Sequence, residues 1–188
     1  MSCRICLSED EPENPIISPC NCTGSVKYIH VKCIKEWLEG KKHMKLTPQV
    51  NSYIWRGLEC EICKSFYSDT IPHPRTGEEI SLLNYEIHPN ALQYMILESV
   101  TNSSSKTIHI INFSESDEIR VGRGSQCEVR ITDVSVSRHH STIDLINYYD
   151  QNGTINTFVS VSDEQSKFGT LVFVRKPIKI KKNDKVVL

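Results

Sequence analysis

Apolar residues are spaced differently in the two parts of the chain. In the first third, Ile34, Trp37 and Leu38 recur at i, i+3 and i+4, and Gly40 follows as a stop signal, which predicts a short helix. From about residue 91, short runs of Ile, Val, Thr and Phe alternate with Ser, Asn, Asp and Gly. We predict strands at 93–100, 107–111, 119–121, 128–131, 141–146, 157–161, 170–174, 177–180 and 185–188. Many short strands at this spacing are typical of a β-sandwich.

The first third also contains eight side chains that commonly bind metals, in the spacing C-x2-C-x13-C-x-C-x7-H-x2-C-x26-C-x2-C. These ligands are Cys3, Cys6, Cys20, Cys22, His30, Cys33, Cys60 and Cys63. Thiolate and imidazole groups bind zinc tetrahedrally, and a structural site takes all four of its ligands from the protein. Eight ligands therefore predict two closed sites and two structural Zn²⁺ ions, with no open position for hydrolysis. Cys127, the remaining Cys, lies in a strand-like run and is interpreted as a core residue.

The two patterns predict two domains joined by a linker. Residues 1–68 form a small zinc-stabilised α+β domain, and residues 91–188 form an all-β sandwich. Between them, residues 69–90 contain Pro72, Pro74, Gly77 and Pro89 with little periodicity, which indicates a linker. The chain stops after Val187 and Leu188, so we expect either a fragment or a sandwich that lacks its last strand.

Composition excludes several classes of partner. The 188 residues carry 22 basic and 23 acidic side chains, and this balance argues against nucleic acid as a partner. No apolar run is long enough to span a bilayer, and Cys3 leaves no room for a signal peptide. We therefore expect a cytoplasmic or nuclear protein, where reduced thiols favour zinc over disulfides.

Four segments around the metal ligands carry a family resemblance. The runs CRICLSED, PCNCTGS, YIHVKCIKEWL and CEICKSFY resemble a RING-CH (RING-variant) domain over residues 1–68. The resemblance implies a cross-brace, with one zinc held by Cys3, Cys6, His30 and Cys33 and the other by Cys20, Cys22, Cys60 and Cys63. A PHD finger shares the ligand order. Leu58, where a PHD finger has an aromatic residue, and the seven-residue gap before His30 favour RING-CH.

This resemblance implies RING-type E3 ubiquitin ligase activity, with a ubiquitin-conjugating enzyme and ubiquitin as partners. Such domains act as scaffolds that position the thioester and form no covalent intermediate. The matching docking residues are Ile5, Trp37 and Leu58, and Lys64 matches a position that contacts ubiquitin. Many RING-CH ligases carry transmembrane helices, whereas none is predicted here.

The β region presents three basic or hydroxyl side chains in loops. Arg123, Ser137 and Lys167 each lie between strand-like runs, and together they offer donors suited to a phosphate group. The blocks Gly-Arg, Ser-Arg-x-His and x-Gly-Thr resemble a forkhead-associated (FHA) domain, which implies that these three residues bind a phosphothreonine-containing protein. The resemblance also implies that His140 and Gly169 brace the loops. Phe168 replaces the Asn that clamps the peptide backbone in this family, which leaves the peptide preference open.

Three functions follow from these patterns. The leading hypothesis is an E3 ligase whose FHA domain selects phosphorylated substrates. The second is a non-enzymatic, zinc-containing phosphopeptide adaptor, and the third is a PHD-type histone reader. Ubiquitin transfer in vitro separates the first hypothesis from the other two.

Overall fold

The computed structural model describes residues 1–100, 104–173 and 175. The chain divides into two compact units, Met1–Ser116 and Asp117–Leu188. Each unit is described by itself below. Among the described residues, no helix has both the length and the apolar character needed to cross a bilayer.

The first unit contains one α-helix and eight strands among its described residues. In chain order they are β1 (Ile16–Ile17), a 3₁₀ helix (Gly24–Lys27), β2 (Ile29–His30), α1 (Val31–Glu39), β3 (Lys42–Leu46), β4 (Val50–Arg56), β5 (Thr70–Pro72), β6 (Glu79–Ser81), β7 (Tyr94–Glu98) and β8 (Ser105–Asn112). The predicted helix is confirmed as α1, which ends at Gly40. It buries Ile34 and Leu38 and leaves its charged face to solvent.

A sheet with the strand order β3-β4-β8-β7 forms much of the first unit. Strand β4 lies within the 26-residue spacer between Cys33 and Cys60, and all seven of its residues pair with β8. The pairing places Tyr53 opposite Ile108 and Trp55 opposite Lys106. Tyr53, Trp55 and Ile108 are buried together with residues of the metal-ligand region in one apolar core. The spacer therefore contains the rest of α1 and the ordered β3-β4 hairpin, which contributes Tyr53 and Trp55 to the core.

The structure differs from the predicted domain boundaries. Residues 69–90, interpreted as a linker, contain the β5–β6 hairpin and bury Leu82 and Leu83 in the core of the first unit. The predicted strands 93–100 and 107–111 exist as β7 and β8, but they pair with β4 and with each other within the first unit. The physical reason is burial, since Tyr53 and Trp55 need an apolar neighbour and β8 supplies Ile108 and Ile110.

The second unit is built from a sheet with the order β10-β9-β11-β12. Its strands are β9 (Glu118–Gly122), β10 (Val129–Arg130), β11 (Ser141–Tyr149) and β12 (Ile155–Asp163). Strands β11 and β12 form a long antiparallel hairpin, and β9 pairs antiparallel with the first half of β11. The four strands that the sequence predicts between residues 119 and 161 are confirmed. Residues 170–173 form no strand, and the strands predicted at 177–180 and 185–188 lie outside the described residues.

Candidate functional site

The first group of metal ligands comes from two adjacent segments. Cys3 and Cys6 lie in a tight turn, His30 is the last residue of β2, and Cys33 lies in the first turn of α1. One ligand atom from each of the four residues lies within 4.8 Å of the others. The turn closes through the N–H of Leu7, which donates to the Cys3 carbonyl oxygen at 2.9 Å. Leu7 has a φ of 65°, so this knuckle holds a left-handed residue directly after its second Cys.

The ring of His30 is oriented for coordination through Nδ1. Its Nε2 lies 2.9 Å from the carbonyl oxygen of Glu9, which can only accept, so Nε2 carries the proton. Nδ1 then presents a lone pair and lies 3.2 Å from the Sγ of Cys6. A carbonyl that fixes the tautomer and the ring orientation is a common outer partner of metal-binding His.

The second group has a knuckle of the same form. Cys20, Cys22, Cys60 and Cys63 also place their Sγ atoms within 4.8 Å of one another. The N–H of Lys64 donates to the Cys60 carbonyl oxygen at 2.9 Å, and Lys64 has a φ of 59°. Lys64 is exposed and occupies the position that Leu7 has in the first knuckle. Its backbone role in the turn is therefore separate from any role of its ammonium group.

Both groups meet the requirements of Zn²⁺. Tetrahedral zinc with bonds of about 2.3 Å to sulfur separates two thiolate ligands by about 3.8 Å. The Sγ atoms of Cys22 and Cys60 are 3.6 Å apart. The donor sets are three sulfurs with one imidazole nitrogen, and four sulfurs, both typical of structural zinc. The two predicted ligand sets are thus brought together as expected, and they form sites for two structural zinc ions.

The protein lowers the pKa of both Cys residues in each knuckle, whereas burial raises the pKa of the other three ligand thiols, those of Cys20, Cys22 and Cys33. Burial alone would raise the pKa of Cys60, but the N–H groups of Cys63 and Ile62 and the guanidinium of Arg4 outweigh it and lower the pKa to about 5. The backbone N–H of Ser8, acting against burial and together with His30, lowers the pKa of Cys6 to about 6. Because the thiolate is the ligand, these groups prepare both knuckles for metal.

A shallow depression of about 250 Å³ opens beside the two knuckles. It is lined by Arg4, Ile5, Ile29, Ile34, Trp37, Glu61, Ile62 and Tyr67. Ile5 is 48% exposed and Ile62 is 59% exposed, so two apolar side chains of the same depression as Trp37 face solvent. The Tyr67 ring meets Trp37 edge-on with centroids 5.7 Å apart, and the ammonium of Lys41 lies 4.1 Å from the Trp37 ring centroid.

Of the three residues predicted to dock a conjugating enzyme, the structure brings Ile5 and Trp37 to this depression. Leu58 is only 4% exposed and packs in the core of the first unit. Its N–H donates to the carbonyl oxygen of Ser104, the residue before β8, which holds this segment beside the sheet. The third exposed apolar position is Ile62. The sequence contained a signal for it, since both paired-Cys motifs read Cys-x-Ile-Cys, with Ile5 and Ile62 at equivalent positions.

The second unit brings together the loops that carry the predicted phosphate ligands. The N–H of Lys167 donates to the Ser137 hydroxyl oxygen at 3.0 Å, which joins two of the loops directly. The Nε of Arg123 donates to the Val136 carbonyl oxygen at 3.2 Å, and its N–H donates to the Ser137 carbonyl oxygen at 2.9 Å. Arg123, Ser137 and Lys167 thus lie in one connected cluster. Arg123 and Lys167 are exposed.

His140, which the sequence predicts as a brace, makes three hydrogen bonds around this cluster. Its Nδ1 accepts a hydrogen bond from the N–H of Ser137 at 3.1 Å. Its backbone N–H donates to the Val121 carbonyl oxygen, and its carbonyl oxygen accepts from the N–H of Glu164. His140 therefore connects the Ser137 loop to β9 and to the end of β12.

Asp163 organises the loop that carries Lys167, and sequence reasoning missed it. Its carboxylate accepts hydrogen bonds from the Ser166 hydroxyl at 2.6 Å and from the Thr170 hydroxyl at 2.8 Å, and these contacts lower its pKa. The Ser166 hydroxyl oxygen in turn accepts from the N–H of Gly169, whose φ of 77° requires a residue without a β-carbon. The Asp-x-x-Ser spacing was the available signal. Phe168 projects from this loop and is 64% exposed.

The turn after β9 depends on a close backbone approach. A β-carbon on Gly122 would lie 2.5 Å from the Arg138 carbonyl oxygen, and one on Gly124 would lie 2.7 Å from the same atom. Both glycines are therefore required for the Arg123 loop to pack against the Ser137 loop. The sequence predicted that Arg123 lies in a loop between strand-like runs, and this close approach gives the reason for the glycine before it.

The geometry defines a protein with a double structural zinc module and a β-sheet module that carries a basic loop cluster. Comparison with family models matches residues 3–63 to the RING-variant domain and residues 119–188 to the FHA domain. The chain therefore carries a RING-variant domain followed by an FHA domain, as the two resemblances predicted. The match also distinguishes the zinc module from a PHD finger.

Several curated proteins are similar to the zinc region. The mouse "E3 ubiquitin-protein ligase MARCHF6" is 41% identical over 68 residues, which are 36% of this chain and 6% of that protein. The human "E3 ubiquitin-protein ligase MARCHF8" is 46% identical over 86 residues, 45% of this chain and 25% of that protein. The yeast "ERAD-associated E3 ubiquitin-protein ligase DOA10" is 34% identical over 77 residues, 38% of this chain and 5% of that protein. This chain thus matches a quarter or less of the length of each relative.

Proposed function

We propose that the protein is a RING-type E3 ubiquitin ligase that binds phosphothreonine-containing partners through its second module. The observation that supports the transfer role best is the exposed apolar depression beside the two zinc knuckles. The similar proteins named E3 ubiquitin-protein ligases match the same region of the chain. Cytoplasm or nucleus is the proposed compartment.

The depression offers a docking surface for a ubiquitin-conjugating enzyme. Ile5 and Ile62 occupy equivalent positions of the two knuckles, and Trp37 of α1 lines the same depression. Tryptophan is among the residues most enriched in the energetic hot spots of protein interfaces, which makes Trp37 the candidate anchor of this surface. The ligand sets fill both zinc sites, so the module would contribute geometry and not metal chemistry. We propose that it holds the conjugating enzyme so that an acceptor lysine reaches the thioester.

Lys64 is proposed to contact ubiquitin during transfer. It directly follows Cys63 and is exposed, and its backbone is fixed by the hydrogen bond to Cys60. A fixed backbone limits where the long side chain can reach, which suits a contact to the donor ubiquitin. A lysine offers a single ammonium and not a planar fork, so the contact would tolerate several acceptor geometries.

The loop cluster of the second module is proposed to bind the phosphate of a phosphothreonine. The Arg123 contact to Val136 orients its guanidinium, and the two terminal amino groups would be the donors to phosphate oxygens. The Ser137 hydroxyl accepts from Lys167, which leaves its own proton for donation. Lys167 would add a third, charged contact. Phe168 gives an apolar surface where the family has a backbone-clamping Asn, so peptide selectivity would differ.

Reconstituted ubiquitin transfer tests the first half of the proposal. With ubiquitin-activating enzyme and a broad panel of conjugating enzymes, the chain should modify itself in a zinc-dependent manner. Trp37→Ala and Ile62→Ala should reduce transfer by tenfold or more if they form the hot spot. Met44→Ala is the matched control, because Met44 is 57% exposed in the same unit and outside the depression. Absence of transfer with every conjugating enzyme would refute the ligase role.

A phosphothreonine peptide library tests the second half. Binding should require the phosphate and fall at least tenfold in Arg123→Gln, whereas Arg56→Gln, an exposed arginine in the first unit, should bind as the wild type does. Equal binding of phosphorylated and unphosphorylated peptides would remove the reader role. Phosphate-dependent binding without any transfer would identify the non-enzymatic adaptor instead.

A further inference from the structure

Arg4 stands in the sequence inside the first knuckle, but its side chain reaches the ligands of the second metal site. It lies between Cys3 and Cys6, and its backbone N–H donates to the Tyr28 carbonyl oxygen at 2.9 Å. Its two terminal amino groups, however, lie beside ligands of the second metal site. Nη1 lies 3.6 Å from the Sγ of Cys22, and Nη2 lies 3.5 Å from the Sγ of Cys60.

The same guanidinium is held by two further contacts. Nη1 donates to the Val26 carbonyl oxygen at 2.8 Å, and Nη2 donates to the Tyr67 hydroxyl at 3.1 Å. Each terminal amino group therefore bonds one sulfur ligand and one oxygen. A planar fork can make four such contacts at fixed angles, whereas a lysine ammonium would meet only part of them.

The charge of the two sites explains why the guanidinium lies where it does. Four thiolates around Zn²⁺ give a net charge of about minus two, whereas three thiolates and a neutral imidazole give about minus one. A partly buried anion of this size is stabilised by a cation and by hydrogen bonds to its charged atoms. Cys22 and Cys60 are buried, and the structure places the half-buried Arg4 beside them, at the more negative of the two sites.

We propose that Arg4 is a positioning residue that neutralises the four-cysteine site and ties the first knuckle to the second. Through it, a residue between two ligands of one zinc controls how tightly the other zinc is held. This part does not depend on ubiquitin transfer, because it concerns metal retention alone.

Arg4 also connects the metal site to the exposed depression. The Tyr67 hydroxyl that it contacts belongs to the ring that meets Trp37 edge-on, and Tyr67 is only 7% exposed. Loss of Arg4 would release the Tyr67 ring and, through it, the support of Trp37. This second consequence rests on the proposed function, since it matters only if Trp37 docks a conjugating enzyme.

The experiment measures zinc transfer from the full chain to a chromophoric chelator, with Arg4→Gln, Arg4→Lys and the wild type. Removing an outer partner of a metal ligand typically costs tenfold to a hundredfold in affinity. We expect Arg4→Gln to weaken one of the two zinc ions by about this factor and to leave the other unchanged. Arg4→Lys, which keeps the charge without the fork, should lie between. Arg75→Gln is the control, because Arg75 makes an exposed ion pair with Asp10 in the same unit.

Cobalt substitution then identifies the weakened site. Sites with four sulfurs and sites with three sulfurs and one nitrogen differ in their visible absorption, so the spectrum shows which ion leaves first. Selective loss of the four-sulfur signal is the expected result. Two equally tight ions in both Arg4 variants, selective loss of the other signal, or equal weakening of both ions in both variants would overturn the proposal.

Ubiquitin transfer measured on the same variants keeps this proposal separate from the ligase role. Selective zinc loss in a chain that transfers no ubiquitin would retain the Arg4 proposal and reject the ligase. Transfer by the wild type together with unchanged zinc retention in Arg4→Gln would do the reverse. If Arg4→Gln does not fold, Arg4→Lys and the cobalt spectrum still decide the question.

Discussion

The two units build their candidate sites by different physical means. In the first unit, the ligands come from segments between Cys3 and Cys63, which two bound zinc ions would join, and several of them belong to a core that extends to β8. In the second unit, Arg123, Ser137 and Lys167 lie in loops joined by single hydrogen bonds and braced by His140 and Asp163. A metal bond fixes distant segments strongly, whereas a loop cluster depends on many weak contacts. Loss of one metal ligand should therefore disrupt the whole first site, whereas loss of one hydrogen bond should weaken the second site only in part.

Removing one zinc ligand should have the largest effect and should be confined to the first unit. Cys60→Ser should reduce the zinc content from two ions to one. A structural zinc contributes on the order of 10 kcal/mol to folding, so amide protection in β4 and β8 should collapse. Native mass spectrometry and hydrogen exchange measure both quantities.

The control for this experiment is Cys127→Ala, because Cys127 lies outside both ligand groups and should leave two ions bound. Strands β9 and β11 should keep their protection in Cys60→Ser. Simultaneous loss of protection in the second unit would contradict the contrast between the two units.

A substitution in β8 should destabilise the zinc unit although it lies far from the ligands in sequence. Ile110 is 1% exposed and belongs to the apolar core of the first unit. Truncation of Ile to Ala at such a position lowers the free energy of unfolding by about 2–5 kcal/mol. Both tryptophans, Trp37 and Trp55, belong to the first unit, so tryptophan fluorescence during urea unfolding reports on that unit.

Two variants sharpen this test. Leu92→Ala should change the free energy of unfolding by less than about 0.5 kcal/mol, since Leu92 is 91% exposed. Ile119→Ala removes a core residue of the second unit and should leave the tryptophan transition in place. If the urea midpoint of the tryptophan transition in Ile110→Ala equals that of the wild type, β8 does not belong to the zinc unit.

Acid should weaken the first unit through a buried histidine. His109 of β8 lies opposite Ser52 of β4, and burial lowers the pKa of His109 to about 4. The unfolded chain then binds a proton that the folded chain does not, so stability present above pH 6.5 is lost as the pH falls towards 4. The loss from this group should reach about 3 kcal/mol, since one pKa unit corresponds to about 1.4 kcal/mol.

The zinc ligands also take up protons over this range, so the measurement is a difference between variants. His109→Gln should show a shallower fall in urea midpoint between pH 6.5 and 4 than the wild type. His43→Gln, an exposed histidine of β3, should follow the wild-type curve. Identical slopes for all three chains would show that His109 is not held neutral.

The smallest effect is expected at an ion pair of the second unit. Arg120 and Glu128 form a hydrogen-bonded pair, which lowers the pKa of Glu128. Both side chains keep solvent contact, so Glu128→Gln should cost less than about 1 kcal/mol. The lowered pKa means that this contribution is present above pH 4.5 and lost as the pH falls below it.

Urea unfolding followed by NMR of the β9 and β11 amides measures the Glu128 effect. Glu115→Gln, at an exposed carboxylate, is the control. A cost of several kcal/mol would indicate that the second unit, like the first, depends on one dominant contact.

Local chemistry was predictable from the sequence. Ligand identity follows from residue type and short spacing, and so the eight zinc ligands and helix α1 were found. The loop residues Arg123, Ser137 and Lys167 lie in one cluster, and their binding of phosphate stays a prediction. The brace at His140 followed from the same family pattern. In each case the relevant partners are either near in sequence or belong to a motif with fixed order.

Tertiary structure alone decided the partners that are remote in sequence. Three contacts join residues roughly fifty positions apart in the sequence. Strand β4 pairs with β8, the buried Leu58 bonds the Ser104 carbonyl oxygen, and Arg4 contacts Cys60. Such contacts are selected by the burial of apolar area and by charge compensation in the folded chain, and periodicity carries no record of them. The sequence by itself determined which side chains are available to bind metal, and the fold decided which strands and cations hold them in place.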